Sequence, residues 1–279
     1  MTGSGTPPID ANPMLAGLRR GEPQLMLGIR ISRTTDIVRI AASTGHTAIM
    51  IDLEHSAMPI DSATAMCAAA GDLGVTALVR VPEFEYGVIG RLLDGGADGI
   101  VVPRVETAEQ VQHVSEALRF PPLGHRSQLT MVPQFGMKPT PATVLNPALD
   151  ARAILKILIE SPAGVDNADA IAAVPGVDII GIGANDLSAE LGIPGQYDSP
   201  VFRAAVERVA AAARKHDKPL MVGGVGDLTI MESLLPLGVS PFYLTGMDSD
   251  LFYVEATTRV AKFREWHKTV FEKAQIDGS

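Results

Sequence analysis

Short runs of apolar residues, many of them β-branched, recur along the chain, and each is followed by an amphipathic, often alanine-rich segment. The runs are apolar almost throughout rather than at alternate positions, which is typical of parallel strands buried on both faces of a sheet. Eight strands are predicted in this way, at residues 25–29, 47–52, 76–79, 99–102, 154–159, 178–182, 219–222 and 242–245.

The segments between these runs predict the helices that cover the sheet. They lie at about 34–44, 60–73, 86–95, 107–119, 165–174, 200–216, 227–236 and 249–270. Eight strands alternating with eight helices predict a (β/α)8 TIM barrel. A doubly wound open sheet is the alternative, but the first strand is not followed by the Gly-x-Gly-x-x-Gly turn that a dinucleotide site would need.

One interruption breaks the alternation, at about residues 121–150, where the sequence is too irregular to predict an element. Loops of this length inside a compact domain are usually functional or disordered, and this one would overhang the barrel mouth. We expect a flexible tail at 1–12, a single barrel domain at 13–270 and a polar tail at 271–279.

Composition narrows the class of protein. The 279 residues are 46% hydrophobic, which suffices for one large core, and no run of about 18 apolar residues predicts a membrane span. The net charge of -9 and the scattered Lys and Arg argue against nucleic acid. The first residues lack the pattern of a signal peptide, so we expect a cytoplasmic metabolic protein. The single cysteine, Cys67, lies in an alanine-rich helical stretch, which favours a packed thiol over a nucleophile.

Polar residues follow four of the predicted strands, at the end of a barrel where active sites form. Glu160 and the pair Asn185-Asp186 follow the fifth and sixth strands. Because adjacent strands lie about 4.8 Å apart, the two carboxylates can converge on one ion, and oxygen ligands alone favour Mg²⁺ or Mn²⁺ over zinc. For Asp186 taken alone, the alternative is a helix cap.

Arg80 and His55 add chemistry to this pair. Arg80 ends the third strand, where a guanidinium suits a planar carboxylate or the oxygen of a metal-chelated 2-oxo acid, and a salt bridge across the mouth is the alternative. His55 follows the second strand in Asp52-Leu-Glu54-His55. It is the strongest acid/base candidate among six histidines, although an isolated histidine here would often be structural.

Several motifs together, in one order over about residues 20–265, resemble the HpcH/HpaI aldolase family. They are Ile51-Asp-Leu-Glu-His55, Val79-Arg80-Val-Pro82, Arg91-Leu-Leu-Asp94-Gly-Gly-Ala-Asp-Gly-Ile-Val-Val-Pro103, Arg119-Phe-Pro-Pro-Leu-Gly124, Ile159-Glu160-Ser161, Gly164-Val-Asp-Asn-Ala-Asp-Ala-Ile-Ala172 and Asp186-Leu-Ser-Ala-Glu-Leu-Gly192. The resemblance implies a metal-dependent class II pyruvate aldolase that acts on 4-hydroxy-2-oxo acids, with Mg²⁺ or Mn²⁺, or Co²⁺, as cofactor. It also implies a domain-swapped C-terminal helix and a hexamer, a dimer of trimers, in which a neighbour contributes to the site.

The resemblance further implies roles for individual residues. Glu160 and Asp186 match the metal ligands, and Arg80 matches the arginine that binds the pyruvyl oxygens. His55 matches the base that removes the 4-hydroxyl proton, directly or through a metal-bound water, and Asp94 the acid that orients this histidine. The positions matched to the substrate pocket are Asp52, Leu158, Ala184 and Asn185.

The sequence departs from the family pattern at three places, and the first two bear on which aldehyde is used. Leu158 stands where relatives usually have Gln, and it cannot donate a hydrogen bond in the pocket. Ser127 replaces the glycine of the usual Gly-x-Arg-Gly, which removes some backbone freedom. Gly183-Ala184-Asn185-Asp186 replaces the usual Gly-Pro-x-Asp. The residues that decide the aldehyde are expected in the 121–150 loop, near Tyr197 and in a neighbouring subunit.

The sequence therefore predicts a lyase that cleaves a 4-hydroxy-2-oxo acid reversibly to pyruvate and an aldehyde, through an enolate that the metal stabilises. Three alternatives remain open at this point. One is an oxaloacetate decarboxylase that uses the same enolate, the second is a non-catalytic barrel that binds a 2-oxo acid or metal, and the third is a structural barrel with a buried ion-pair network.

Overall fold

A computed structural model describes residues 12–83 and 86–277 of the chain. Eight parallel strands form one sheet, as the apolar runs predict. They are β1 Gln24–Ile29, β2 Ala48–Asp52, β3 Thr76–Arg80, β4 Gly99–Val102, β5 Ile154–Ile159, β6 Ile179–Gly183, β7 Leu220–Gly223 and β8 Phe242–Met247. The predicted tail at 1–12 falls outside the described residues except for Asn12, which is buried and caps the first helix.

The strands follow one another around a nearly closed barrel. Hydrogen-bonded neighbours run in the order β7-β6-β5-β4-β3-β2-β1-β8, so β8 closes onto β1, and the remaining seam lies between β7 and β8. Every neighbouring pair in this order is parallel. The (β/α)8 prediction is confirmed.

Alternate strand residues point to opposite sides of the barrel wall, so two apolar layers form. The interior layer includes Met26, Leu78, Ile154 and Phe242, and a larger outer layer packs the strands against the helices. Since both faces of each strand are buried, the near-continuous apolar runs in the sequence follow directly.

Twelve helices occur in the described part of the chain. They are α1 Pro13–Arg19, α2 Asp36–Ser43, α3 Ile60–Asp72, α4 Tyr86–Asp94, α5 Ala108–Leu118, α6 Ala142–Arg152, α7 Pro162–Asp166, α8 Ala168–Ala172, α9 Ala184–Glu190, α10 Pro200–Lys215, α11 Leu228–Leu234 and α12 Asp248–Asp277. The helix expected at 165–174 is instead two short helices that meet at Asn167. Cys67 is fully buried in α3, and burial raises the pKa of its thiol, in keeping with a packed side chain.

The segment at 121–150 is more ordered than its sequence predicts. It contains a 3-10 turn at Pro133–Phe135 and most of α6. A third apolar cluster fixes it to the end of α5, through Phe120, Val132, Leu145 and Leu149. The prediction of an irregular loop was wrong for α6, because Pro147 lies inside that helix and proline usually ends one.

The last helix extends well past the barrel. α12 contacts β1 and β8 near its first turns and continues to Asp277, so the expected polar tail is largely helical. Its side chains are exposed along most of its length, including large apolar ones: Leu251, Phe252, Tyr253, Val254, Val260, Phe263, Trp266, Val270 and Phe271. No helix in the described residues combines the length and apolar character that crossing a membrane requires.

Candidate active site and metal centre

Glu160 and Asp186 lie at the same edge of the barrel, just after two neighbouring strands. Glu160 directly follows β5 and is 4% exposed, whereas Asp186, in the first turn of α9, has a side chain that is 41% exposed. The residue preceding α9 is Gly183, which ends β6, so Asp186 does not cap the helix. The capping alternative for Asp186 therefore fails, and one buried and one accessible carboxylate face the same cavity.

Gly183 makes room for the buried carboxylate. A Cβ at this position would overlap Oε1 of Glu160 and would stand 2.8 Å from its Cγ and Cδ. Real Cβ contacts do not come this close, so any side chain at 183 would displace the carboxylate. The glycine at the end of β6 thus allows Glu160 to turn toward Asp186.

Arg104 contacts both carboxylates and was not singled out by the sequence pattern. Its backbone N–H donates to Oε2 of Glu160 at 2.8 Å, and its guanidinium lies 3.5 Å from Oδ1 of Asp186. Its φ of 52° is in the left-handed region, which is uncommon for a residue with a side chain. The rule that polar residues at strand ends form the site would have found it, because it follows β4 by two residues.

The electrostatics of the pair favour a cation. Burial raises the pKa of Glu160, and the negative charges of Asp186 and Glu54 raise it further, although the Arg104 N–H and Arg80 oppose the shift. No group of three or more His, Cys, Asp or Glu residues that could hold a metal occurs in the described residues, and Glu160 and Asp186 are the candidate pair. They fit a divalent ion that takes oxygen ligands and keeps open positions.

Arg80 is held by Asp52, which is fully buried. Nε and Nη2 of Arg80 donate to the two oxygens of Asp52 at 3.0 and 2.7 Å, and Arg30 adds a longer hydrogen bond at 3.2 Å. Burial alone would raise the pKa of Asp52, but Arg80, the backbone N–H of His55 and Arg30 outweigh it and lower that pKa. Asp52 therefore orients the arginine, which lines the cavity, whereas Asp52 does not line it.

Glu54 lies between Arg80 and His55. Its Oε2 is 3.2 Å from Nη1 of Arg80 and 3.4 Å from Nε2 of His55, close enough for ion pairing but without hydrogen-bond geometry. Burial raises the pKa of Glu54, while Arg80 opposes the shift. His55 lines the cavity with a 47% exposed side chain, so the ring is at the rim and accessible to solvent.

Asp94 has a different neighbour in a single chain. It accepts a hydrogen bond from Nη2 of Arg126 at 2.8 Å, and Glu54 is the acid beside the His55 ring. Arg126 comes from the 121–150 segment and also stacks on Phe120, 4.7 Å from the ring centroid. Within one chain Asp94 therefore anchors this segment, and its role toward a histidine stays a prediction.

A cavity of about 140 Å³ joins these groups inside the barrel mouth. Three of the four predicted pocket residues, Leu158, Ala184 and Asn185, line it. The Asn185 side chain is fixed by a hydrogen bond from the Tyr197 hydroxyl. Lys156 also lines the cavity, although the sequence pattern predicts it only as part of a strand.

Comparisons with known proteins agree with this arrangement. Residues 30–222 match the family described as HpcH/HpaI aldolase/citrate lyase. A 4-hydroxy-4-methyl-2-oxoglutarate aldolase of Chaetomium globosum is 37% identical over 201 residues, which cover 71% of this chain and 75% of the relative. A 2-keto-3-deoxy-L-rhamnonate aldolase of Salmonella dublin is 31% identical over 258 residues, 91% of this chain and 94% of the relative.

A solved structure extends the likeness to the fold. The crystal structure of an HpcH/HpaI aldolase from Desulfitobacterium hafniense DCB-2 matches with a TM-score of 0.83 and 28% identity, covering 90% of this chain and 96% of that one. The predicted resemblance is confirmed by the family match, the aldolase relatives and this fold together. The chain belongs to the HpcH/HpaI aldolase/citrate lyase family and is a carbon–carbon lyase.

Proposed function

We propose that the protein catalyses the reversible, metal-dependent cleavage of a 4-hydroxy-2-oxo acid to pyruvate and an aldehyde. The observation that carries this proposal is the convergence of Glu160, Asp186 and Arg80 on one cavity that has His55 at its rim. The names of the two aldolase relatives support the substrate class, because both describe a 2-oxo acid or its keto equivalent.

Each residue has a distinct task in this reaction. Glu160 and Asp186 would hold Mg²⁺, Mn²⁺ or Co²⁺, which when bound acts as a Lewis acid toward the 2-oxo acid. Arg80, kept charged and oriented by Asp52, donates hydrogen bonds to the oxygen at C2 as negative charge develops there. Its guanidinium is preorganised, so little reorientation is needed during the reaction.

His55 handles the proton of the 4-hydroxyl group. The His55 ring takes this proton, the C3–C4 bond breaks, and the bonding pair becomes the C2–C3 double bond of the pyruvate enolate. Glu54, 3.4 Å from Nε2, stabilises the positive charge that the ring gains. The aldehyde leaves toward the open mouth, and the enolate takes a proton at C3 to give pyruvate.

The first test measures pyruvate release from 4-hydroxy-4-methyl-2-oxoglutarate and other hydroxy-oxo acids, with Mg²⁺ or Mn²⁺ and with excess chelator. We expect activity only with metal, and His55→Ala to lower kcat/KM about 100-fold or more, which is typical for loss of a general base. Oxaloacetate forms a parallel arm, because its decarboxylation needs no hydroxyl base and is expected to be largely insensitive to His55→Ala.

The results separate the three alternatives. A protein that decarboxylates oxaloacetate but cleaves no hydroxy-oxo acid would be a decarboxylase. Metal binding without carbon–carbon cleavage and without pyruvate enolisation would identify a non-catalytic barrel. Failure to bind metal would leave only the third alternative, a structural barrel with a buried ion-pair network.

We also propose that copies of the chain assemble through α12, as a hexamer with exchanged C-terminal helices. The exposed apolar residues of this helix support the proposal, since contiguous apolar surface usually marks an interface. Light scattering should give the hexamer mass for the wild type, and a smaller mass for a Phe263→Glu, Trp266→Glu double variant. A monomeric wild type would contradict the assembly.

A further inference from the structure

Lys156 is a buried amine beneath the two carboxylates of the site. It lies on β5 four residues before Glu160, so both side chains point into the barrel, and it is only 2% exposed. A Cβ on Gly181 would stand 3.1 Å from the Lys156 Cε. The glycine therefore leaves space for the lysine chain to pass along the interior wall.

The amine reaches up to the layer just below Glu160. Its Nζ lies 2.7 Å from Sδ of Met221. Met221 is paired across the sheet with Gly181, and Gly181 with Leu158, so all three occupy one level of the barrel. Lys156, Leu158 and Met221 all line the cavity, and the amine contacts one of these lining residues, Met221.

In the part of the chain that the structure describes, no carboxylate pairs with Nζ of Lys156. Its described neighbours are the Met221 thioether, a weak acceptor, and the ring of Phe242 with its centroid 5.1 Å away. Within the described residues no carboxylate forms an ion pair with it. A buried ammonium without such a partner is costly, so the group needs an explanation beyond packing.

Burial and nearby charge bring the pKa of this amine close to neutral pH. Burial lowers the pKa of Lys156 to about 7; the cation Arg80, on β3, lowers it too, and Glu160, on its own strand, opposes the shift. Lys156 is not needed as a fixed cation that binds the carboxylate of a substrate, because a guanidinium suits that task better and Arg80 already supplies one. A group that is present in both protonation states at neutral pH suits proton transfer instead.

The proposed reaction requires two proton transfers, and His55 accounts for one of them. His55 is accessible at the rim, whereas the enolate carbon has no proton donor among the residues assigned so far. We propose that Lys156 is the acid/base group for C3 of pyruvate, an inference that rests on the proposed function. In cleavage its ammonium N–H donates the proton, the enolate pair forms the C3–H bond, and C2–O returns to a carbonyl. In synthesis the neutral amine removes a methyl proton, and the released pair forms the enolate.

Exchange of the pyruvate methyl protons in D₂O isolates this step, because it needs no aldehyde. Proton NMR follows the loss of the pyruvate methyl proton signal as deuterium replaces the protons. The samples are purified full-length wild type, Lys156→Met and Lys156→Arg, each with saturating Mg²⁺. The exposed Lys215→Met is the matched control. Mg²⁺ affinity is measured by calorimetry, and folding by circular dichroism.

We expect Lys156→Met and Lys156→Arg to lose exchange by about 100-fold or more, the usual effect of removing an acid/base group, while Mg²⁺ affinity changes little. Arginine keeps the charge but cannot act as a base, so it should not rescue. Wild-type exchange should rise with pH through about 7 and level off, and the residual exchange of both variants should lack this step.

The role of Lys156 is overturned if the methionine variant exchanges within a few-fold of wild type, if arginine restores exchange, or if Mg²⁺ affinity and exchange fall together. If a variant does not fold, the wild-type pH profile still decides, since exchange independent of pH between 6 and 8 overturns the proposal. If the wild type cleaves the hydroxy-oxo acid and Lys156→Met exchanges normally, only the role of Lys156 is refuted and the proposed function stands. A wild type that neither cleaves nor exchanges refutes the proposed function as well.

Discussion

The carboxylate of Glu160 occupies the space that a side chain at Gly183 would need. The two residues come from adjacent strands, and a Cβ at 183 would stand 2.8 Å from the Glu160 Cγ and Cδ. The position of Glu160, the proposed buried metal ligand, therefore depends on Gly183, a residue that would not itself contact the metal.

Gly183→Ala should lower metal affinity at least 10-fold, because Glu160 must turn away from Asp186. Calorimetric titration with Mn²⁺ measures the change. Gly71→Ala is the matched control, since a Cβ at that helical position meets nothing within 4 Å. Equal affinities in both variants would show that Glu160 does not need this space.

Asp52→Ala should lower the free energy of unfolding by about 2 kcal/mol or more at pH 7, since the largely buried Arg80 loses both of its hydrogen bonds to Asp52 and keeps only the ion pair with Glu54. The pKa of Asp52 is lowered in the folded state, so its contribution is present above the unfolded pKa and is lost as pH falls through the folded one. The difference measured by denaturant should therefore shrink on acidification. Asp166→Ala, which removes an exposed pair with Arg208, should cost under about 1 kcal/mol. A loss for Asp52→Ala no larger than this would contradict the prediction.

Glu160→Gln should stabilise the metal-free protein at pH 8. The pKa of Glu160 is raised by burial, so the carboxyl favours folding when protonated and that contribution is lost as pH rises through its folded value. The advantage of the glutamine should shrink toward pH 4, and saturating Mn²⁺ should reverse it by stabilising only wild type. Denaturant unfolding with chelator and with Mn²⁺ measures both effects. A glutamine variant less stable than wild type at pH 8 without metal would contradict this account.

Arg104→Met should raise Mn²⁺ affinity about 2- to 5-fold, because the half-exposed guanidinium pairs with Asp186 and such pairs contribute about 0.5–1 kcal/mol. The gain should be largest at low salt. Arg104→Lys keeps the charge and serves as the control. Weaker Mn²⁺ binding in the methionine variant would mean that Arg104 supports the site rather than competes with the metal.

Much of the barrel and part of the site could be predicted from the sequence. The strands are accurate because burial on both faces leaves a continuous apolar signal, and Glu160 and Arg80 follow from the strand-end rule. Helix α6 was not predicted because proline usually ends a helix and Pro147 lies inside this one. The division between α7 and α8 was not predicted because one apolar pattern spans both helices.

Two side chains were missed for different reasons. Arg104 could have been found by the strand-end rule, because it follows β4, but its contact with both carboxylates occurs with a positive φ that nothing in Val102-Pro103-Arg104 indicates. Lys156 could have been found, because it shares the period-2 face of Glu160 on β5. Its lack of a carboxylate partner depends on the neighbouring strands and could not be predicted.

The most direct test of the central claim is a crystal soaked with Mn²⁺ and pyruvate, with anomalous diffraction used to locate the ion. The account predicts one Mn²⁺ peak between Glu160 and Asp186, with pyruvate bound to that ion and its oxygen at C2 facing the Arg80 guanidinium. A peak elsewhere, or pyruvate bound away from these three residues, would contradict it.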